Sequence, residues 1–178
     1  ISTSIPARAL RILDDLDLLC GIIPELSGTK GVTQPKEHYW DVFNHSIETT
    51  EKLRLLLDRQ LNTNAHMDAI YQRKYFEEEI SDGHSRTTML VLASLLHDIG
   101  KPTTKSVERN GRVRFLGHAN VGVDLTTKIM KRLRFSRRGI DFVSKIVEHH
   151  LRPGQLAAKG MIPTKRAIYR YYRDLGDV

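Results

Sequence analysis

The stretch from Thr87 to Asp98 is apolar at almost every position, with Met89, Leu90, Val91, Leu92, Ala93, Leu95 and Leu96 in close succession, and it ends on His97 and Asp98. A helix that is apolar all round buries itself at the centre of a bundle, so this segment is expected to be the core element of an all-α fold. An ionised Asp closing such a segment is costly without a positive partner. A bound cation supplies that compensation.

The flanking sequence reads as further helices. Pro6 opens a helical pattern over Ala7 to Cys20, stopped by Gly21. A connector punctuated by Pro24, Gly28, Gly31 and Pro35 leads to a long pattern from about Glu37 to Arg59, with Val42, Ile47, Leu53, Leu56 and Leu57 as core positions. The polar stretch Thr63 to Ile80 is read as a helix projecting from the body, broken by Ser81-Asp82-Gly83. Gly100 and Pro102 stop the apolar helix, and residues 107–115 alternate around Asn110-Gly111, which signals one small β-hairpin and the only sheet expected. Gly117-His118 opens a helix to about Arg134. Ser136 caps another to His150, ended by Pro153-Gly154, and a last helix spans Thr164 to Leu175. Residues 1–35 form an N-terminal helix and connector, read as the end of a preceding helical region. Residues 36–178 form the main domain with its C-terminal helix.

Composition bounds the function. No apolar run approaches the roughly 20 residues that span a bilayer, and no secretory signal opens the chain. The expectation is a cytoplasmic protein with no membrane partner. Cys20 is the single cysteine, which excludes an internal disulfide and a Cys-built zinc site. The chain opens at Ile1 rather than Met and reads as a piece of something longer. A net charge of +7 favours a polyanionic partner. The basic residues cluster at Lys128, Lys131, Arg132, Arg134, Arg137 and Arg138, and again from Lys159 to Arg173 among Tyr169, Tyr171 and Tyr172. Such clusters are more often solvated helix faces than nucleic-acid sites.

Histidine and carboxylate are the remaining metal ligands, and they suit hydrolytic chemistry if positions stay open for water and substrate. His38, Asp41 and His45 share one face of the long helix. Asp41 is read either as a surface acid or as a group orienting an imidazole. His149-His150 closes a helix, where cationic side chains also complement the dipole with no metal involved. Lone histidines such as His66 and His84 are assigned surface or capping roles. The conjunction carries more than any member: a His on one helix, His-Asp after an apolar run, Gly-His opening the next helix, His-His closing the one after.

The order His45, then Leu95-Leu96-His97-Asp98-Ile99-Gly100-Lys101, Gly117-His118 and Val147-Glu148-His149-His150 resembles the HD superfamily of metal-dependent phosphohydrolases, over roughly residues 36 to 151. The resemblance implies a helical HD-domain bundle and metal ligands at His45, His97, Asp98, His118, His149 and His150. One or two divalent ions are expected, with Asp98 bridging two; Mg, Mn, Fe, Ni and Zn all suit such a set. His97, Asp98 and Lys101 are the implied catalytic residues, Lys101 touching substrate phosphate. Asp41 stands where some dinuclear members carry an acidic ligand. A last Asp usual in the superfamily has only Asp174 or Asp177 as late counterparts here, or lies past Val178.

A narrower likeness includes the N-terminal segment. Ala9-Leu10-Arg11 through Leu19, Gly21 to Leu26, Gly31-Val32, Gln34 and His38 to Val42 resemble the region after the catalytic head of tRNA nucleotidyltransferase and poly(A) polymerase type proteins. The head itself, with its Gly-rich loop and paired aspartates, is not in these residues. The leading expectation is hydrolysis of phosphate esters on nucleotides or RNA ends. The alternative is a non-catalytic arm that binds tRNA, with the histidines a relict or a structural metal site. Cyclic-dinucleotide phosphodiesterases share the HDIGK and HH strings but carry Gly-Tyr-Pro after them, where this chain has Arg152-Pro153-Gly154.

Overall fold

The computed structural model describes residues 5–35, 39–62, 73–157 and 162–176. It is mostly helical, as the sequence predicts. Helix α1 (Pro6–Asp15) leads into α2 (Leu18–Ile22) and a 3-10 turn (Pro24–Thr29), and the long helix α3 spans Val42–Asn62. The apolar segment is α4 (Arg86–Leu96), followed by the single turn α5 (Lys101–Thr104). Then come α6 (His118–Arg132), α7 (Arg137–His149), α8 (Arg152–Ala157) and α9 (Lys165–Leu175).

Helix α4 packs against both α3 and α7, while α6 packs on α7 and α1 on α3. Met89, Ala93, Leu95 and Leu96 of α4 share one core with Leu10, Leu19 and Leu26 of the N-terminal segment, Ile47 of α3, Ile129 of α6 and Val143 of α7. Burying an aliphatic side chain of this kind contributes about 1.5–3 kcal/mol.

Three local readings change. The helix expected over 7–20 breaks at Asp17, which takes a left-handed conformation with φ of 58°, an option its short polar side chain tolerates. That bend turns Leu19 and Ile23 inward and leaves Leu16 and Leu18 outside. The long helix begins at Val42, five residues later than expected, because Asp41 caps it: its Oδ1 accepts from the Asn44 backbone N–H at 2.8 Å. Pro153 and Gly154 lie inside the short α8. A proline is well placed in a helix's first turn.

The expected hairpin is present. Strand β3 (Lys105–Val107) pairs antiparallel with β4 (Val113–Phe115), Lys105 opposite Phe115, and Gly111 turns at φ of 79°. A second, smaller hairpin pairs β1 (Glu79–Ser81) with β2 (His84–Ser85). Its Asp82-Gly83 turn has positive φ at both residues, the turn type that suits a two-residue hairpin. The segment read as one helix over Thr63 to Ile80 thus ends in a strand; its first ten residues lie outside the described residues. Among the described residues, no helix is long and apolar enough to cross a membrane.

Candidate metal centre

The C-terminal ends of α4 and α7 and the N-terminal end of α6 converge on Asp98, which is 1% exposed. Its Oδ2 lies 3.0 Å from His97 Nε2 and 3.5 Å from His45 Nε2. Its Oδ1 lies 3.3 Å from His118 Nε2 and 3.6 Å from His150 Nε2. Two groups able to hold a metal result, His45-His97-Asp98 and Asp98-His118-His150, with the carboxylate common to both. The negative ends of the α4 and α7 dipoles face this point and favour positive charge there, while the positive end of α6 favours the Asp98 carboxylate.

Three of the imidazoles are oriented by one repeated device. Nδ1 of His97 meets the Ser94 carbonyl at 2.7 Å, Nδ1 of His118 the Phe115 carbonyl at 2.7 Å, and Nδ1 of His150 the Val147 carbonyl at 2.6 Å. A carbonyl only accepts, so each Nδ1 carries the hydrogen and Nε2 is the nitrogen that faces Asp98, where it can donate to the carboxylate or offer its lone pair to a cation. His118 Nε2 and His150 Nε2 stand 3.1 Å apart. Two lone pairs at that distance repel unless a proton or a cation lies between them. The donor set therefore fits a divalent ion.

Burial alone pushes the Asp98 carboxyl up, but hydrogen bonding to His118, His150 and His97 outweighs it and holds the group far below the usual carboxylate range. Lys101, 7% exposed, adds a further cation. Its Nζ donates to Asp98 Oδ2 at 2.7 Å and to Gln34 Oε1 at 2.6 Å.

Other candidates fall elsewhere. His149 is absent from both groups, and its Nε2 lies 3.8 Å from Glu148 Oε2; of the two, the last residue of α7 and the one after it, His150 is the one beside Asp98. Asp41 is committed to the chain, with Oδ1 on Asn44 and Oδ2 accepting from the Gly31 N–H at 2.7 Å. Burial raises its pKa and these backbone bonds outweigh that, so it sits lower than an ordinary carboxyl. Asp174 is inside α9, paired with Arg152 and Arg173. His38 and Asp177 lie outside the described residues. Gln34 had no assigned site role from its connector position, because nothing in an irregular segment fixes where a side chain lands.

A cavity of about 730 Å³ opens beside His118, between Gln34-Pro35 and the hairpin residues Asn110 to Leu116. His118 is the ligand-set residue that lines it, together with Gln34, the partner of Lys101.

Comparison with known proteins places these features. The sequence pattern of the HD domain matches residues 42–174. The chain is 32% identical to the A-adding tRNA nucleotidyltransferase of Deinococcus radiodurans over 146 residues, which is 82% of this chain and 28% of that protein. It is 27% identical to the CC-adding tRNA nucleotidyltransferase of Thermus thermophilus over the same shares of the two chains. The bifunctional uridylyltransferase/uridylyl-removing enzyme of Ruegeria pomeroyi is 24% identical over 92% of this chain and 16% of its own length. The chain thus spans less than a third of each of these relatives.

Proposed function

The chain belongs to the HD domain family, and we propose that its His/Asp centre is a divalent-metal-dependent phosphohydrolase site for phosphate esters of nucleotides or RNA ends. The observation that carries this reading is the single buried carboxylate shared by two histidine pairs beside an open cavity. His45, His97 and Asp98 would hold one ion, and Asp98, His118 and His150 a second. A divalent cation in such a site supplies Lewis acidity toward phosphate oxygens and brings the pKa of bound water towards about 7.

The chain's own residues do the rest. The Nδ1–carbonyl bonds hold the rings so that no reorientation is needed when charge develops. Lys101 uses two of its three N–H donors on Asp98 and Gln34, which leaves one for a phosphate oxygen at the mouth. The apolar walls of α4 exclude water from behind the carboxylate. By this reading residues 36–178 are the HD module, and residues 1–35 tie it to a preceding region of a tRNA nucleotidyltransferase-type protein. Nucleotide addition would belong to that other region.

The test is metal analysis together with turnover of p-nitrophenyl phosphate and 2′,3′-cyclic nucleotides, for the native chain and a His97→Ala, Asp98→Ala double variant. A double variant with undiminished metal content and turnover would end the proposal. A second reading, an RNA-binding arm, draws on exposed Lys128, Lys131, Arg134 and Arg137. It is weakened where Arg132 is paired with Glu25 and Arg138 with Glu78. Salt-sensitive tRNA binding without any turnover would favour it.

A further inference from the structure

The cavity beside His118 is much larger than a phosphate needs. At about 730 Å³ it exceeds twenty times the roughly 30 Å³ that liquid water occupies per molecule, and it lies within the range of small-molecule sites. Its walls are of two kinds. Pro35, Val113 and Leu116 are apolar, and Leu116 is 72% exposed, open to a ligand's apolar face. Arg112 and Arg114 are cationic, but they are not equivalent. Arg114 Nε is held by Glu108 Oε1 at 2.5 Å, whereas Arg112 has no ion pair among the described residues.

An apolar platform, a guanidinium with no ion pair among the described residues and one histidine of the hydrolytic centre along one slot match a nucleoside with charge on both sides. Resting on the hydrolase reading above, we infer that the slot receives the nucleotide bearing the scissile phosphate. Its base and sugar lie against Leu116 and Pro35, and Arg112 meets the next phosphodiester. The substrate is then the phosphorylated end of a strand, or a dinucleotide, in preference to a free mononucleotide. The slot's open side suits a chain that continues outward. Asn110 and Glu108, at the hairpin turn, hold the Arg112 backbone in place: Asn110 Oδ1 accepts from the Arg112 N–H at 2.9 Å, and the Arg112 carbonyl accepts from the Glu108 N–H at 2.9 Å.

The experiment is calorimetric binding to the chain with Mn²⁺ supplied, using ligands whose terminal phosphate is replaced by an uncleavable phosphonate. Three are compared: a ribose phosphonate, the matching mononucleoside phosphonate, and a dinucleotide ending in the same phosphonate. The native chain should bind the dinucleotide about tenfold more tightly than the mononucleotide. Its log K should fall more steeply with log salt by about 0.7, the increment for one further single-strand phosphate. Arg112→Ala should abolish both differences, with Arg112→Lys restoring most of them. Leu116→Ala should erase the advantage of the mononucleotide over the ribose phosphonate, and each variant's melting temperature checks the fold. Equal binding of mono- and dinucleotide by the native chain, or an Arg112→Ala ratio unchanged from native, overturns the inference. Tight dinucleotide binding with no turnover of phosphate esters would refute the hydrolase reading alone. Turnover with no dinucleotide preference would refute the slot assignment alone.

Discussion

Gly100, two residues after Asp98, is where the packing of the bundle and the geometry of the centre meet. A Cβ built there would lie 2.2 Å from the His118 carbonyl oxygen, 2.7 Å from the Gly122 nitrogen and 3.1 Å from the His118 carbonyl carbon. All three are backbone atoms, so no side chain can swing aside. Ordinary contact begins at 3.4 Å, and restoring it means moving the start of α6 by about 1.2 Å, the difference between those two distances. The backbone at Gly100 is ordinary α-helical, with φ of −81°. With open space, Gly→Ala at such a position would stabilise by about 0.4–1 kcal/mol through the unfolded chain. Overpacking costs about 1–3 kcal/mol, and a rigid obstacle belongs at the upper end. The net expectation for Gly100→Ala is a loss of about 2–3 kcal/mol, or a melting temperature lower by roughly 5–10 °C for a chain of this size. Because α6 carries His118, the same shift should weaken divalent-ion binding. Gly21, inside α2 with nothing within 4 Å of its notional Cβ, is the control: Gly21→Ala should raise stability by about 0.5–1 kcal/mol. Thermal melts of both variants, with an ion titration, decide the matter. A Gly100→Ala chain that melts at or above the native temperature and binds ions normally would show the close approach to be unimportant.

Four shorter predictions follow from the same geometry. His150→Ala should lower divalent-ion affinity at least tenfold while His149→Ala changes it little, read by titration with a metal indicator; equal losses would contradict the placement of the two rings. Asp98→Asn should abolish ion binding and destabilise the chain by about 3–5 kcal/mol, because buried Lys101 loses its countercharge; a denaturant melt with unchanged midpoint would count against this. The hydrogen bonds from Arg132 outweigh burial and, with a backbone hydrogen bond and the Arg132 charge, hold the Glu25 carboxyl below its ordinary value. Its stabilisation is therefore complete above the unfolded carboxylate pKa and lost as pH falls through the folded one; Arg132 is half exposed, so the loss stays within about 1 kcal/mol. Melts from pH 7 to 3 should show a smaller acid decline for Glu25→Gln than for the native chain. Ser136→Ala removes the oxygen that accepts from the Gly139 N–H at 3.3 Å and should cost about 0.5–2 kcal/mol, with no change in ion affinity.

The helices were legible because each carries its own periodicity and stop signals, and the apolar run at 87–96 announced the core. The centre was legible as a set because the ligand types recur in order along the chain. What stayed hidden depended on direction. Nothing in Glu148-His149-His150 says which imidazole turns inward, since neighbours on a helix end differ only by a rotation of about 100°. Asp41 has the same spacing to His45 whether it serves as a ligand or as a cap, and the bonds its two oxygens accept from the Asn44 and Gly31 N–H groups distinguish the two. The β1–β2 hairpin escaped because its strands are too short to show alternation, although Asp82-Gly83 is a hairpin turn sequence.

The repeated Nδ1 contact explains why the ligands sit at element ends. A helix leaves its last four carbonyls without intrahelical partners. His97, just past α4, takes the Ser94 carbonyl, and His150, just past α7, takes that of Val147, each three residues back. At the end of β4 the Phe115 carbonyl does the same for His118. In a helix interior those carbonyls would be spent on the backbone, and an inward-facing imidazole would need a separate side chain to fix its tautomer. The helix ends supply orientation, a favourable dipole and a free acceptor at once. The superfamily string can therefore be short: the histidine brings the ligand, and the chain three residues earlier has already supplied the group that aims it.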